Sequence, residues 1–490
     1  MSDLKKILNR YKTVSTAVKA SLIYTFASLL TKGLNIITTP IFTRIMSTEE
    51  IGVVTTFTSW FTILSVFANL SLNSGSFSVA MMEFKDKRDE YESSILTLST
   101  ISSLSLFVIY YFFKKQINSI LGLPTSLIYL LLFSFIFLPA TDFWMARQRY
   151  EYKYKFVAII SIVSTVLSSA IAILVVILAR KDNIANLATY RLYGSNFVLL
   201  LVAICLYVII MKKGKVYISK HYWKFALTMS LPLIVHTLSK HILDVSDRIM
   251  IANMVGNSAV GIYGILYSIS SLSLIFWNAI NASLIPYMFE KLQTGKSGEK
   301  AINNIIQPML LLYSVICIIL TLISPEVIGI LATEEYHQAI YIMPPVAAGI
   351  YLTSIYNIFG NVLLYHKKTN YIMWATLCSA VVNVVLNYLL ISKFGFIAAA
   401  YTTLVSYIVL SILQFIAMKK VHGYAIFDVP KLITISIVTI VACMLCNLIY
   451  NYFIFRYVIV VSIIVILFVK RKKIMKTVVS LKKQKDIEKE

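Results

Sequence analysis

The stretch LPLIVHTLSKHILDVSDRIMIANMVG, residues 231–256, combines an apolar run with six side chains able to do chemistry. His236, Lys240, Asp244 and Arg248 follow one another at i,i+4, with His241 and Asp247 on the flanks. At about 100° per residue, all six lie within about 140° of one helix. A single formal charge at the centre of a bilayer costs roughly 2.5–3.5 kcal/mol on insertion scales, so four of them require protein or water around them. Asp244 with Lys240 or Arg248 could form a neutralised structural pair. The alternative is a face turned to a substrate, with the two bases adding positive potential and the imidazoles and carboxylates available to a coupling proton or cation.

Three further polar stripes share this property. Ser21, Thr25, Ser28, Lys32, Asn35 and Thr39 fall within about 80° on one face of a first helix. Thr55, Thr58, Thr62, Asn69 and Asn73 line a second, and Tyr263, Tyr267, Ser271, Asn278 and Asn281 an eighth. Each stripe alone could be hydrogen-bonding glue between helices. Their concentration on the same few elements favours a shared wet cavity. Arg44 closes the first helix as a snorkelling anchor or, alternatively, a gate or substrate contact. Asp142, Trp144 and the following RQRYEYKYK (147–155) mark an inner membrane boundary.

Catalytic signatures are missing. TGKSGEK (294–300) lacks the first glycine of a phosphate loop, and neither HExxH nor GxSxG occurs, so no catalytic residues and no metal ligands are expected. Cys443 and Cys446 form a CxxC inside an apolar helix and are expected to pack rather than bind metal. The pair Glu49-Glu50 leaves a membrane glycosyltransferase as a minor alternative.

The elements that position these residues are membrane helices. Of 490 residues 58% are hydrophobic and only 14% charged, with a mean hydropathy of +0.79. Continuous apolar runs of about 20 residues match ~30 Å of hydrocarbon, and they do not alternate as barrel strands would. The expectation is an all-α polytopic protein of about 14 spans, at 17–41, 51–73, 93–113, 125–143, 156–179, 189–211, 225–251, 261–285, 304–324, 340–364, 371–391, 397–417, 432–451 and 457–469. The net charge of +23 is concentrated in one set of alternate loops, which by the positive-inside rule places both termini in the cytoplasm and removes the need for nucleic acid. Pro232 and Pro286 are candidate kinks.

An internal repeat at an offset of 209 residues superposes Gly52 on Gly261, Thr62 on Ser271, Asn69 on Asn278 and Lys32 on His241. With the polar break at 211–224, it predicts a first six-helix bundle (1–210), a cytoplasmic linker (211–224), a second six-helix bundle (225–418), two additional helices (419–469) and a basic cytoplasmic tail (470–490).

Three segments carry a family resemblance: TTPIFTRIMSTEEIGVV at the end of the first span, RQRYEYKYK after the fourth, and SDRIMIANMVGNSAVGIYG in the seventh. The chain resembles the polysaccharide transporter, or oligosaccharide flippase, family: Wzx-type proteins of the MATE-like MOP superfamily. That resemblance implies two six-helix bundles in a V plus two C-terminal helices, with spans 1, 2, 7 and 8 around a central cavity. It implies a flippase, not an enzyme, that moves undecaprenyl-diphosphate-linked oligosaccharides across the bacterial cytoplasmic membrane for O-antigen or capsule synthesis. Lys32, Lys240 and Arg248 would hold the diphosphate, with Arg44 at the outer end. Asn35, Asn69, Asn73, Asn278 and Asn281 would bond the sugars. His236, His241, Asp244 or Asp247 would carry a coupling proton or sodium ion, with no other cofactor. A polysaccharide polymerase and chain-length proteins are the implied partners, with the membrane lipids. The principal alternatives are a MATE-like cation-coupled multidrug exporter and, less in keeping with the short loops, a polymerase.

Overall fold

In the lipid core no water can satisfy backbone N–H and C=O groups, so each crossing segment must bond internally as a helix. The computed structural model describes residues 16–73 and 76–469, and among these every regular element is helical. The helices in the first half are α1 (Thr16–Ile45), α2 (Thr48–Asn69), α3 (Ser76–Glu83), α4 (Arg88–Phe112), α5 (Lys114–Leu121), α6 (Thr125–Tyr150), α7 (Tyr154–Lys181), α8 (Leu187–Gly214) and α9 (Lys220–Met254). The second half has α10 (Asn257–Ser270), α11 (Ser273–Leu292), α12 (Lys296–Leu322), α13 (Ser324–Leu331), α14 (Met343–Tyr365), α15 (Thr369–Phe394), α16 (Ala398–His422), α17 (Val429–Ile449) and α18 (Phe453–Val469). The expected basic tail at 470–490 and the segment before Thr16 lie outside the described residues, as do the side chains of Ser21 and Thr25.

Among the described residues, ten helices are long and apolar enough to cross a membrane, or eleven with the bent pair α10–α11. The chain is therefore a multi-pass membrane protein, but the count of fourteen is not reached on that test. Helices stand at all fourteen expected positions. The three that fall short are α1, α9 with its Lys240, Asp244, Asp247 and Arg248, and α18 with 17 residues. Along α7, Phe156, Ile159, Val163, Leu167 and Leu174 point outward, an exposed apolar stripe suited to lipid.

Packing divides the chain into two compact units, residues 1–241 and 242–490, so the boundary falls inside α9. In the first unit α7 packs on α1 and α8, and α6 on α4 and α8. Gly194 permits the α7–α8 approach, because a Cβ there would lie 2.9 Å from the Cα of Ala172. In the second unit α14 is the central helix, packed on α16, α12 and α17 and buried over nearly its whole length. Gly360 on α14 leaves room for the Gln414 amide of α16.

The eighth span departs from the sequence expectation. It bends by 44° between α10 and α11, at Ser271–Leu272 and not at Pro286, which lies inside α11. A serine run stands at the bend. Ser268 donates to the Gly264 carbonyl at 2.7 Å, Ser271 to that of Ser268 at 2.8 Å, and Ser273 to that of Ser270 at 3.2 Å. Hydroxyls that bond back to backbone carbonyls weaken and bend the helical ladder. Pro232 lies within the unbroken helix α9. The repeat offset is visible at helix starts: α2 begins after Ser47 and α10 after Gly256, 209 positions apart.

Candidate functional site

In the first unit the site is built on α1, α2 and the first part of α9. Lys32 and Asn35 are exposed on α1, and neither side chain has a hydrogen bond or ion pair to a described residue. The Asn35 carbonyl does accept from the hydroxyls of Thr38 and Thr39, at 3.1 and 2.8 Å. Arg44 ends α1, donating to the Pro40 carbonyl at 3.0 Å. On α9, Lys240 is exposed, whereas His236 and His241 are half-buried and His236 Nδ1 is a buried atom without a partner. Asn69 is buried at the end of α2 and Asn73 is exposed just beyond it.

In the second unit the rest of α9 enters a tyrosine-lined pocket of charge. Asp247 is 2% exposed; its carboxylate accepts from the Arg248 backbone N–H at 2.8 Å and from the Tyr263 hydroxyl at 2.6 Å. Arg248 donates to the Asp244 carbonyl at 3.0 Å and lies 4.2 Å over the Tyr267 ring. Tyr407 of α16 donates to the Asp244 carboxylate at 3.4 Å and stacks on Tyr356 of α14. Thus the Arg248 guanidinium meets a backbone carbonyl and an aromatic face with the charges of Asp244 and Asp247 nearby, unlike Lys32 and Lys240. Asn278 is exposed, and Asn281 accepts from the Asn361 amide at 2.9 Å.

A second polar network escaped the sequence reading. Asn383 Oδ1 accepts from Ser246 at 3.0 Å and from the Asn387 amide at 3.1 Å, and Thr402 donates to Asn387 Oδ1. All four residues are buried, and the Asn383 amide nitrogen has no partner. Two asparagines spaced i,i+4 inside an apolar span were the available signal, as was tyrosine in mid-span at 356 and 407.

Other charged residues secure the helix ends. Arg147 of α6 donates to Asp89 at 2.5 Å, Glu92 at 2.7 Å and Glu151 at 3.0 Å, joining α6 to α4. Burial opposes ionisation of Glu151, but the bonds from Lys153 and Arg147 outweigh it and hold the carboxyl below its ordinary range. In the second unit Arg456 is 4% exposed and meets Glu326 through two bonds of 2.7 and 2.8 Å. Glu50 closes a capping box with Ser47 and accepts from the Leu187 N–H at 2.9 Å. Those structural roles weaken the glycosyltransferase alternative built on Glu49-Glu50.

Long apolar helices with polar and charged residues buried among them make this a multi-pass membrane protein. Comparison with known proteins agrees. A family model described as polysaccharide biosynthesis protein matches residues 17–292, and a MatE model matches residues 232–389. The chain belongs to the polysaccharide biosynthesis protein family of the MOP superfamily. It is similar to a probable low-salt glycan biosynthesis flippase, Agl15, of Haloferax volcanii, with 27% identity over 34% of this chain and 36% of that one. It is also similar to an uncharacterized membrane protein of Haemophilus influenzae, at 25% over 46% and 55%. The chain thus spans about a third to a half of the length of these curated relatives. The fold is shared with the inward closed lipid II flippase MurJ, at a TM-score of 0.67 and 16% identity, covering 92% of this chain and 100% of that one. It is shared too with an inward-facing multidrug resistance MATE transporter, at 0.62 and 14%, covering 82% and 98%.

Proposed function

We propose that the protein is a flippase carrying undecaprenyl-diphosphate-linked oligosaccharide repeat units from the inner to the outer leaflet of the bacterial cytoplasmic membrane, by alternating access. The product would serve surface polysaccharide synthesis as O-antigen or capsule, with polymerase and chain-length proteins as partners and both termini cytoplasmic. The observation that carries this reading is the pair of exposed lysines, Lys32 and Lys240, on membrane helices without a bonded anionic partner among the described residues. A diphosphate supplies the charge they lack. Arg248, already compensated, contributes less, which shifts the anion contact toward the first unit. Asn35 and Asn278 are exposed and available to sugar hydroxyls. Coupling to a proton or sodium ion is part of the proposal, with His236, His241, Asp244 and Asp247 as candidate carriers.

Replacement of Lys32 and Lys240 by Ala is expected to abolish surface glycan while the protein remains inserted. Lys240→Glu should be worse than Lys240→Gln. Normal glycan display in the double variant would refute the assignment. A second reading, a MATE-like exporter of cationic compounds, draws on the carboxylates Asp244 and Asp247 in the second unit. Drug resistance on overexpression, without a glycan phenotype in the deletion strain, would decide for it.

A further inference from the structure

Where α4 begins and α6 and α8 end, the first unit holds a cavity of about 70 Å³ walled by Glu92, Arg147, Gln148, Glu151, Lys153 and Lys213. Gly214 lets the end of α8 close on α4, because a Cβ there would collide with the Asp89 carbonyl and the Ser93 side chain. The wall is charged but incompletely bonded. Glu92 is 2% exposed; its Oε2 accepts from Arg147, while its Oε1 is buried with no hydrogen-bond partner. Gln148 is 8% exposed, and its side chain has no hydrogen bond to a described residue. Buried polar groups are normally paired, so an open carboxylate oxygen beside an open amide marks a place for a donor. Lys213 is exposed and has no hydrogen bond or ion pair among the described residues, whereas Lys153 is bonded to Glu151 at 2.6 Å. An apolar strip leads to the same place. Phe197, Leu201, Cys205, Ile209 and Lys213 follow one another every four residues along α8, and all five are exposed. Ile209 itself lines the cavity. The lipid-facing side of α8 thus runs into a pocket that carries both signs of charge.

We propose that this cavity binds the headgroup of a phospholipid with a primary ammonium, of which phosphatidylethanolamine is the test case. The ammonium donates to Glu92 Oε1 and the Gln148 amide oxygen, the phosphate meets Lys213, and the acyl chains lie along Phe197, Leu201 and Ile209. A primary ammonium has three donors, and a bond from it to a buried carboxylate is of the strong, charge-assisted kind. One water needs about 10–15 Å³ of such space, so the ammonium and its two carbons fit. A trimethylammonium has no N–H to give Glu92, and a purely anionic headgroup would meet three carboxylates. Arg147 already bridges Asp89, Glu92 and Glu151, and no group of three or more His, Cys, Asp or Glu able to hold a metal ion occurs among the described residues. A soluble amine would leave the apolar strip of α8 unused. The residues all belong to the first unit, and lipid binding is measured without transport, so the proposal fails or stands separately from the flippase reading.

The full-length protein in detergent, titrated with single phospholipids and read by native mass spectrometry, tests the site. The first phosphatidylethanolamine is expected to bind at least tenfold more tightly than phosphatidylcholine or phosphatidylglycerol of the same chains. Glu92→Gln should remove that preference, and Lys213→Ala or Gln148→Leu should weaken it severalfold. Lys212→Ala, at the adjacent exposed lysine outside the wall, should behave as wild type. Should Glu92→Gln fail to fold, the Lys213 and Gln148 variants carry the test. Equal affinity for the three lipids would overturn the proposal, as would equal losses in Lys212→Ala and Lys213→Ala. Tighter binding of phosphatidylglycerol that is lost in Lys213→Ala would make the cavity an anion site instead. Glycerophosphoethanolamine binding as tightly as the lipid would assign it to a soluble amine and overturn the lipid reading.

Discussion

The two units place their candidate site residues differently. The first exposes Lys32, Asn35 and Lys240 and leaves Asn69 Oδ1 and Ser71 Oγ buried without bonded partners at a cavity wall. The second commits Asp244, Asp247 and Arg248 to tyrosines and to one another, and bonds Asn383, Asn387, Ser246 and Thr402 into a buried network. One helix, α9, carries both kinds, changing character near the boundary at His241. Buried groups with bonded partners maintain the fold, whereas uncompensated ones remain able to bind a ligand.

The largest expected effect probes the exception in the first unit. Arg147→Ala strands Glu92, which is 2% exposed, and removes the bonds of two further carboxylates. Breaking such a buried pair costs about 3–5 kcal/mol, so detergent-solubilised protein should aggregate on size-exclusion chromatography. Recovery of a stable monodisperse variant would show that the α4–α6 ends do not depend on the network.

In the second unit, Tyr263→Phe removes the donor to Asp247 and should lower stability by about 1.5–3 kcal/mol, the scale for hydrogen bonds to charged groups. A melting temperature equal to wild type would erase the contrast between the units. By comparison, Lys32→Ala and Lys240→Ala should each change stability by less than about 0.5 kcal/mol, as surface substitutions do, while glycan display is lost. Destabilisation by either lysine variant equal to that of Tyr263→Phe would place those lysines in the fold instead of at the ligand.

The smallest effect concerns pH. His366 Nε2 lies 3.0 Å from His422 Nδ1, and His422 reaches Glu299 at 3.4 Å, at the ends of α14, α16 and α12. Burial first, then the neighbouring His422, lowers the affinity of His366 for a proton. Folding therefore favours its neutral form. The contribution to stability is constant above the unfolded value of about 6.5 and declines as pH falls below it toward the folded value. His366→Gln should flatten that decline in melting temperature below about pH 6.5. An unchanged pH profile would remove His366 as its source.

The fourteen helix positions were legible because lipid enforces length and hydropathy locally. The charged half-turns of α9 were legible for the same reason: a charge in an apolar run stands out. Partners were not. The i,i+4 spacing offered Asp244 a partner along its own helix as one of two alternatives, but the structure also brings it the Tyr407 hydroxyl, 163 residues away. The bend at Ser271–Leu272 was hidden because proline is a louder signal than a run of serines whose hydroxyls turn back on the backbone.

By itself the sequence determined the solvent, the helical class and which spans carry costly polar groups, since each follows from composition over one or two turns. Only the tertiary structure decided which of those groups are compensated. Compensation is set by side chains from helices distant in sequence, as Tyr407 is to Asp244 and Asn383 to Ser246. It likewise set Gln148, on the sequence one residue of a boundary motif, into a cavity wall with Glu92 and Lys213, because three helices converge there.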